Sequence, residues 1–171
     1  MYKRQFLNTE REGELASVMC HELAHLSQRH FARSQNRNSP LANALMILGS
    51  IAVATASRNP EAILIAPAAM QQMSINYTRS NEKEADRIGF NNLVKAGFDP
   101  NDMTMMFQRM QDKYQNEDSE QFSYLMTHPL PSERLTDMRI RADGLKNNSK
   151  NSFRDNMDFY LMQKRAQVWA E

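Results

Sequence analysis

The pattern of hydrophobic and polar positions along the chain is helical rather than alternating. Runs of alternating apolar and polar residues extend over only a few positions, and glycine is scarce. Thr9 followed by Glu12 has the capping-box form of a helix start, and Pro40 ends the long helix that follows. Gly97 is a helix stop signal and Pro100 opens another helix. The predicted helices cover residues 10–37, 68–95, 100–114, 132–143 and 153–169. The sequence therefore predicts a mostly helical, all-α fold.

The last predicted helix, residues 153–169, carries apolar residues at spacings of three and four. The predicted stripe consists of Phe153, Met157, Tyr160, Leu161, Lys164 and Val168. A stripe of this kind predicts an amphipathic helix with one face buried against another part of the protein. We therefore expect this helix to dock through the stripe.

The most apolar stretch of the chain, residues 41–56, is interrupted at residues 58–60 and resumes over residues 61–70. Sixteen residues fall short of the roughly 20 that span a bilayer. Two interpretations stay open. Residues 41–70 form either a buried or poorly packed helical hairpin, or a flap that faces a membrane surface or a partner. A transmembrane span is not predicted, whereas peripheral membrane contact through 41–70 fits the second interpretation.

Length, charge and cysteine content narrow the class of protein. The chain has 171 residues, the size of one domain, and 21 basic residues against 20 acidic ones leave a formal charge of +1. Without a dense basic run, nucleic acid is not an expected partner. A single cysteine, Cys20, excludes an intramolecular disulfide. It does not indicate the cellular compartment, because a lone thiol is compatible with the reducing cytosol and with the oxidising periplasm. No apolar run follows the charged first residues, so we expect no signal peptide within this chain. The protein is then either cytosolic or a fragment whose upstream part has been removed.

The candidate chemistry is concentrated in the HExxH motif His21-Glu22-Leu23-Ala24-His25, inside the first predicted helix. Residues four apart lie on one helix face, so the two imidazoles can converge on one metal ion, and zinc is the usual occupant of this spacing. Glu22 lies beside that face. In this motif the glutamate is the general base that takes a proton from the attacking water.

A catalytic zinc site needs a third protein ligand. On the second long helix, Glu82 and Asp86 are four residues apart and share a face, whereas Glu84 points elsewhere. The prediction is that the HExxH helix packs against this helix, with Glu82 as the third ligand. Asp86 then accepts the free ring N–H of a ligating histidine.

Four separate motifs, in this order, resemble those of the gluzincin peptidases that include HtpX, the CAAX prenyl proteases and the mitochondrial Oma-type proteases. They are Leu15 to His25 followed by Gln28-Arg29-His30, Asn81 to Gly89, Gly97-Phe98-Asp99-Pro100, and Thr127-His128-Pro129-Leu130-Pro131 with Arg134. The resemblance runs from about residue 10 to the end of the chain. It implies a zinc endopeptidase with His21, His25 and Glu82 as metal ligands, Glu22 as catalytic base and Asp86 beside a ligating histidine.

Within the family, the motifs are most similar to a bacterial periplasmic branch that acts in quality control and assembly of outer-membrane proteins. That resemblance implies a periplasmic location, protein or peptide substrates, and outer-membrane assembly machinery as a partner. The family normally has strands upstream of the HExxH helix, whereas only 20 residues precede His21 here. Its periplasmic branch also continues into a tetratricopeptide-repeat domain. We therefore expect a catalytic-core fragment, with a zinc peptidase core over 1–146 and a C-terminal helical segment over 147–171.

Two residues of the last motif are candidates for catalytic roles. By resemblance, His128 lies near the metal, where it occupies the fourth ligand position at rest or donates to the oxyanion of the tetrahedral intermediate. Arg134 is a second candidate oxyanion donor. His30 is turned by about 140° from His25 on an ideal helix, off the ligand face, so it is assigned to helix packing or a hydrogen bond.

A function of another class stays open. Residues 41–70 could bind partners in a non-hydrolytic chaperone or assembly module that keeps zinc for structure or in a latent site. The presence of Glu22 separates the two functions, because a structural zinc site has no use for a general base.

Overall fold

The computed structural model describes residues 9–37, 39–116, 128–145 and 157–168, and within these ranges every regular element is helical. The elements are α1 (Glu12–Ser27), α2 (His30–Arg37), α3 (Pro40–Ser57), a 3₁₀ helix (Pro60–Leu64), α4 (Ile65–Lys95), α5 (Pro100–Asn116), α6 (Ser132–Leu145) and α7 (Met157–Val168). The predicted all-α class is confirmed. The second, third and fourth predicted helices are observed as α4, α5 and α6, with ends within three residues of the prediction.

The prediction of one continuous helix over 10–37 is wrong. The chain leaves the α-helix after Ser27, and Arg29 adopts a left-handed backbone conformation with φ of 53°. Its N–H donates to the carbonyl of Leu26, which closes the end of α1 before α2 begins at His30. Neither glycine nor proline stands at this break, so the usual sequence signals of a helix end are missing.

Contacts divide the chain into two units, the first made of Met1–Ala24 with Glu82–Glu171 and the second of His25–Asn81. The core of the first unit lies between the C-terminal part of α4 and helices α5 and α6. Its fully or nearly buried members are Phe90, Leu93, Met103, Phe107, Leu135, Met138 and Ala142. The methionines that the sequence concentrates on α5 fill this interior at Met103 and Met106, whereas Met105 is partly exposed.

Helix α7 does not bury the predicted stripe. Met157, Tyr160 and Leu161 are exposed, and Phe159 and Gln163 are the buried residues of this helix. Gln163 donates from its side-chain amide to the carbonyl of Thr9 at 2.5 Å. A buried hydrogen bond therefore selects a face that hydrophobicity alone does not indicate. Residues 153–156 and 169 of the predicted helix, and Thr127 of the last motif, lie outside the described residues.

In the second unit, α3 packs against the 3₁₀ helix, and its buried positions are the small residues Ser50 and Ala54. Its large apolar side chains are exposed, among them Leu41, Leu45 and Leu48 at 61–70%. The interpretation of residues 41–70 as a buried hairpin is therefore wrong, and the hairpin packs poorly. Within the described ranges, α3 is the one helix whose length and composition would allow it to cross a membrane, a test that core helices also pass.

Candidate metal centre

Helices α1 and α4 hold the candidate ligands of the first unit at a close helix crossing. Gly89 of α4 lies against the backbone of α1, and a Cβ atom there would meet the Cα and N of His21 at 3.0 Å. Only glycine permits this approach without displacement of one helix. The crossing brings Asp86 and Glu82, one and two turns before Gly89 on α4, beside His21.

His21 is buried, with 1% of its side chain exposed, and both of its ring nitrogens face carboxylates. Nδ1 lies 2.9 Å from Asp86 Oδ1, and Nε2 lies 3.4 Å from Glu82 Oε2. Burial acts to lower the pKa of His21, but hydrogen bonds and charge from the two carboxylates outweigh it and raise this pKa to about 9. The surroundings of His21 therefore favour a positive charge.

His128 faces the same place from the segment that precedes α6. Its Nδ1 lies 3.1 Å from Glu82 Oε1 and 3.5 Å from His21 Nε2, and its Nε2 lies 3.5 Å from Glu22 Oε1. The rings of His21 and His128 meet edge to face, with centroids 5.3 Å apart. Glu22 is partly exposed, so a carboxylate with solvent access borders the buried donors.

One candidate metal-binding group is found in the part of the chain that the structure describes, and it consists of His21, His25, Glu82 and His128. One ligand atom from each of these residues lies within 4.8 Å of the others. His25 is one helical turn after His21 on α1, as the HExxH spacing predicts. The structure thus brings together all three predicted ligands and places His128 with them.

His30 forms a hydrogen bond to a predicted ligand. Its Nδ1 lies 2.9 Å from His25 Nδ1, and the two rings are nearly perpendicular. One of these nitrogens donates and the other accepts, and a proton on His25 Nδ1 leaves Nε2 as a metal ligand. The sequence predicted only packing or a hydrogen bond for His30, because an ideal helix turns it away from His25. The left-handed Arg29 supplies the missing rotation.

Arg134 is buried and joins three parts of the site. Its Nε and Nη2 donate to the two carboxylate oxygens of Asp86 at 2.6 and 2.7 Å. Its Nη1 donates to the Pro129 carbonyl at 2.5 Å and lies 2.9 Å from Glu82 Oε2. Although burial acts in the opposite direction, hydrogen bonds from His21 and Arg134 lower the pKa of Asp86. These contacts favour a positioning role, and the predicted oxyanion role of Arg134 stays a prediction.

The residues present fit a divalent cation. The donor set is nitrogen and oxygen, which zinc accepts in three-ligand catalytic sites. The guanidinium of Arg134 contacts Glu82 and Asp86, and the third carboxylate, that of Glu22, lies 3.5 Å from His128. The three carboxylates and the guanidinium together carry an excess of negative charge, which a cation would offset. Asp86 holds the nitrogen of His21 that points away from the other donors, as expected beside a metal-bound histidine.

Cys20 is not a member of the candidate metal-binding group. Its thiol is half-buried beside the core of the first unit, and burial raises its pKa. A raised thiol pKa disfavours the nucleophilic thiolate, in agreement with a structural residue.

A helical fold that carries an HExxH donor cluster is typical of a metallopeptidase core. Residues 2–142 match the model of peptidase family M48, and the chain belongs to this family. The family recognised from the four sequence motifs is thereby confirmed.

The relatives are longer proteins. The chain is 51% identical over 144 residues to a Vibrio cholerae protein provisionally named beta-barrel assembly-enhancing protease, covering 80% of this chain and 29% of that protein. It is 40% identical over 97% of its length to the beta-barrel assembly-enhancing protease of Escherichia coli O157:H7 and 41% identical over 85% to that of Yersinia pestis. These alignments cover 34% and 31% of the two relatives, so the chain spans about a third of the curated proteins it matches.

Proposed function

We propose that this chain is the catalytic core of a zinc-dependent endopeptidase that cleaves misfolded or stalled outer-membrane proteins in the periplasm. The observation that carries the proposal is the convergence of His21, His25 and Glu82, with Glu22 at the edge of the same group. Membership of peptidase family M48 supports hydrolysis of peptide bonds.

His21, His25 and Glu82 would hold the zinc ion. Bound zinc supplies Lewis acidity, which lowers the pKa of a water to about 7 and polarises a carbonyl. Asp86 keeps His21 in one orientation, and Arg134 keeps Asp86 and Glu82 in place. The protein therefore provides a donor set whose members are held before a metal arrives, which favours one coordination geometry.

Glu22 performs the proton transfers. Its carboxylate accepts a proton from the attacking water and later delivers it to the nitrogen of the leaving amine. It is suited to this role because it borders the buried donors while 22% of its side chain stays exposed to solvent. A zinc site without turnover would need no such group, which argues against a purely structural metal.

The substrate class is inferred from the relatives. Three of them are named for assembly of β-barrels, and the barrels of bacterial envelopes lie in the outer membrane. Unassembled barrel strands are extended and apolar on one face, and extended segments are what endopeptidases bind. We therefore infer that stalled barrel precursors are the substrates, and that the assembly machinery of the outer membrane is a partner.

The test replaces the base and keeps the metal. Glu22→Gln preserves shape but cannot accept the proton, so proteolysis by the full-length protein should fall at least about 100-fold, with an unchanged zinc content. Glu12→Gln is the matched control, because it makes the same substitution on the same helix, away from the donors. Casein cleavage and elemental analysis measure the two quantities. Turnover of Glu22→Gln within a few-fold of the parent protein would show that another group is the base.

A further inference from the structure

Helix α3 buries small side chains and exposes large apolar ones, the reverse of the usual arrangement in a soluble protein. Its buried positions are Ser50 and Ala54, whereas Leu41, Leu45, Leu48, Ile51 and Val53 are 42–70% exposed. No residue from Pro40 to Ser57 is charged. Soluble helices normally bury their large apolar side chains and expose charged ones, whereas α3 exposes large apolar side chains along its length.

The exposed apolar surface continues beyond α3 within the second unit. The 3₁₀ helix and the start of α4 expose Ile63, Leu64 and Ile65 at 46–67%. On α2, Phe31 is 78% exposed. The elements that neighbour α3 in the sequence therefore also expose large apolar side chains, and this number of exposed apolar residues indicates a binding face.

The charge of this unit is opposite to that of the rest of the chain. Residues 25–81 contain five arginines, at 29, 33, 37, 58 and 79, and a single acidic residue, Glu61, which gives a net charge of +4. The remaining residues carry sixteen basic and nineteen acidic side chains, a net charge of −3. Arg58 directly follows α3 in the sequence, and basic residues at the end of an apolar helix are the ones that reach lipid headgroups in membrane-bound proteins.

We propose that the unit His25–Asn81 docks on an anionic lipid bilayer. The exposed apolar residues of α3 lie in the acyl layer, and the arginines of the unit lie at the headgroups. An apolar helix without charge, flanked by cations, fits the two layers of such a surface, because hydrocarbon and anionic headgroups lie side by side there. A protein partner that matched this unit would need an apolar groove for α3 and acidic residues around that groove for the arginines. The proposal does not depend on the peptidase activity, since lipid binding requires no turnover.

The experiment is vesicle flotation of the whole chain. Vesicles of phosphatidylethanolamine with phosphatidylglycerol should carry the protein to the top of the gradient, and vesicles of phosphatidylcholine alone should carry much less. Raising the salt concentration should weaken binding in part, because salt screens the arginines but leaves the apolar contribution. Binding that is equal on both vesicle types, or absent from both, would overturn the proposal.

Two substitutions separate the apolar and the electrostatic contributions. Leu45→Glu places a charge among the exposed apolar residues and should weaken binding at least about tenfold. Ile140→Glu is its control, because Ile140 is 67% exposed on α6 in the other unit. Arg58→Glu should weaken binding to the anionic vesicles alone, and Arg165→Glu on α7 is the control for charge. Circular dichroism verifies that each variant keeps its helices.

Self-association is the competing outcome. If the apolar surface joins two copies of the chain, size-exclusion chromatography with light scattering finds a dimer that Leu45→Glu dissociates, and vesicles do not bind the parent chain. That result would contradict the proposal. A monomer that floats with anionic vesicles, and a Leu45→Glu variant that stays at the bottom while Ile140→Glu floats, would support it.

Discussion

The orientation of His21 depends on buried side chains that do not themselves belong to the donor group. Arg134 donates hydrogen bonds to both carboxylate oxygens of Asp86, and Asp86 Oδ1 lies 2.9 Å from His21 Nδ1. His25 has a corresponding support in His30, at 2.9 Å. Each histidine of the HExxH motif thus has one nitrogen held by the protein, which leaves the other for a metal.

Asp86→Ala should weaken zinc affinity by roughly 10- to 100-fold without removing a ligand, because His21 loses the carboxylate that fixes its orientation. Competition with a chromogenic chelator measures the dissociation constant. Asp137→Ala is the control, since Asp137 is half-exposed and pairs with Arg141 on the surface of α6. An unchanged dissociation constant in Asp86→Ala would mean that the contact to His21 has no part in metal binding.

His128→Ala should raise proteolysis by the full-length protein or make it less discriminating. His128 lies with the three ligands and also 3.5 Å from Glu22, where it would take the place of water in a resting enzyme. Its removal frees that place while the other ligands keep the metal. The opposite role, donation to the oxyanion, predicts a loss of about 100-fold or more. Lower activity at unchanged zinc content would overturn the resting-ligand role.

At the scale of the elements, the crossing of α1 and α4 decides whether the site forms. The sequence predicted that His21 lies near His25 and Glu82 near Asp86. In each pair the two residues are four positions apart on the same helix, which places them on one face. The crossing could not, although Gly89 was part of the recognised motif, because its role depends on which backbone lies opposite. The same holds for Arg134, which is 48 residues from Asp86, and for His30, which depends on the left-handed Arg29.

Gly89→Ala should destabilise the protein by about 1–3 kcal/mol, because the new methyl group meets the α1 backbone and the helices must separate. Zinc affinity should fall with it. Gly144→Ala on α6 is the matched control, since nothing lies within 4 Å of the added carbon and alanine is the better helix former. Urea unfolding measures both variants. If Gly89→Ala were as stable as Gly144→Ala, the helices would not be in the close contact described.

At the scale of the whole molecule, the sequence predicts the helical class and the family, whereas it misjudges which apolar faces are buried. The stripe predicted on α7 is exposed because Gln163 and Phe159 occupy the buried face instead. The apolar residues of α3 are exposed although their composition resembles that of a core helix. Periodicity identifies an apolar face, but only tertiary packing decides whether protein covers it.

The two proposed functions are assigned to different parts of the chain. The metal donors are supplied mainly by the first unit, whose net charge is negative, and the proposed lipid-docking residues lie in the second, whose net charge is positive. The Glu22→Gln and Leu45→Glu variants should accordingly separate, with loss of turnover in the first and loss of vesicle binding in the second.

The central claim is that His21, His25 and Glu82 bind one zinc ion, and elemental analysis of the purified chain tests it most directly. The account predicts about one zinc per molecule in the parent chain and little in the variant that combines His21→Ala with His25→Ala, because Glu82 and His128 are too few ligands to retain the ion. Circular dichroism of the double variant verifies that its helices persist. Full zinc content in that variant, or a parent chain that takes up no zinc, would contradict the account.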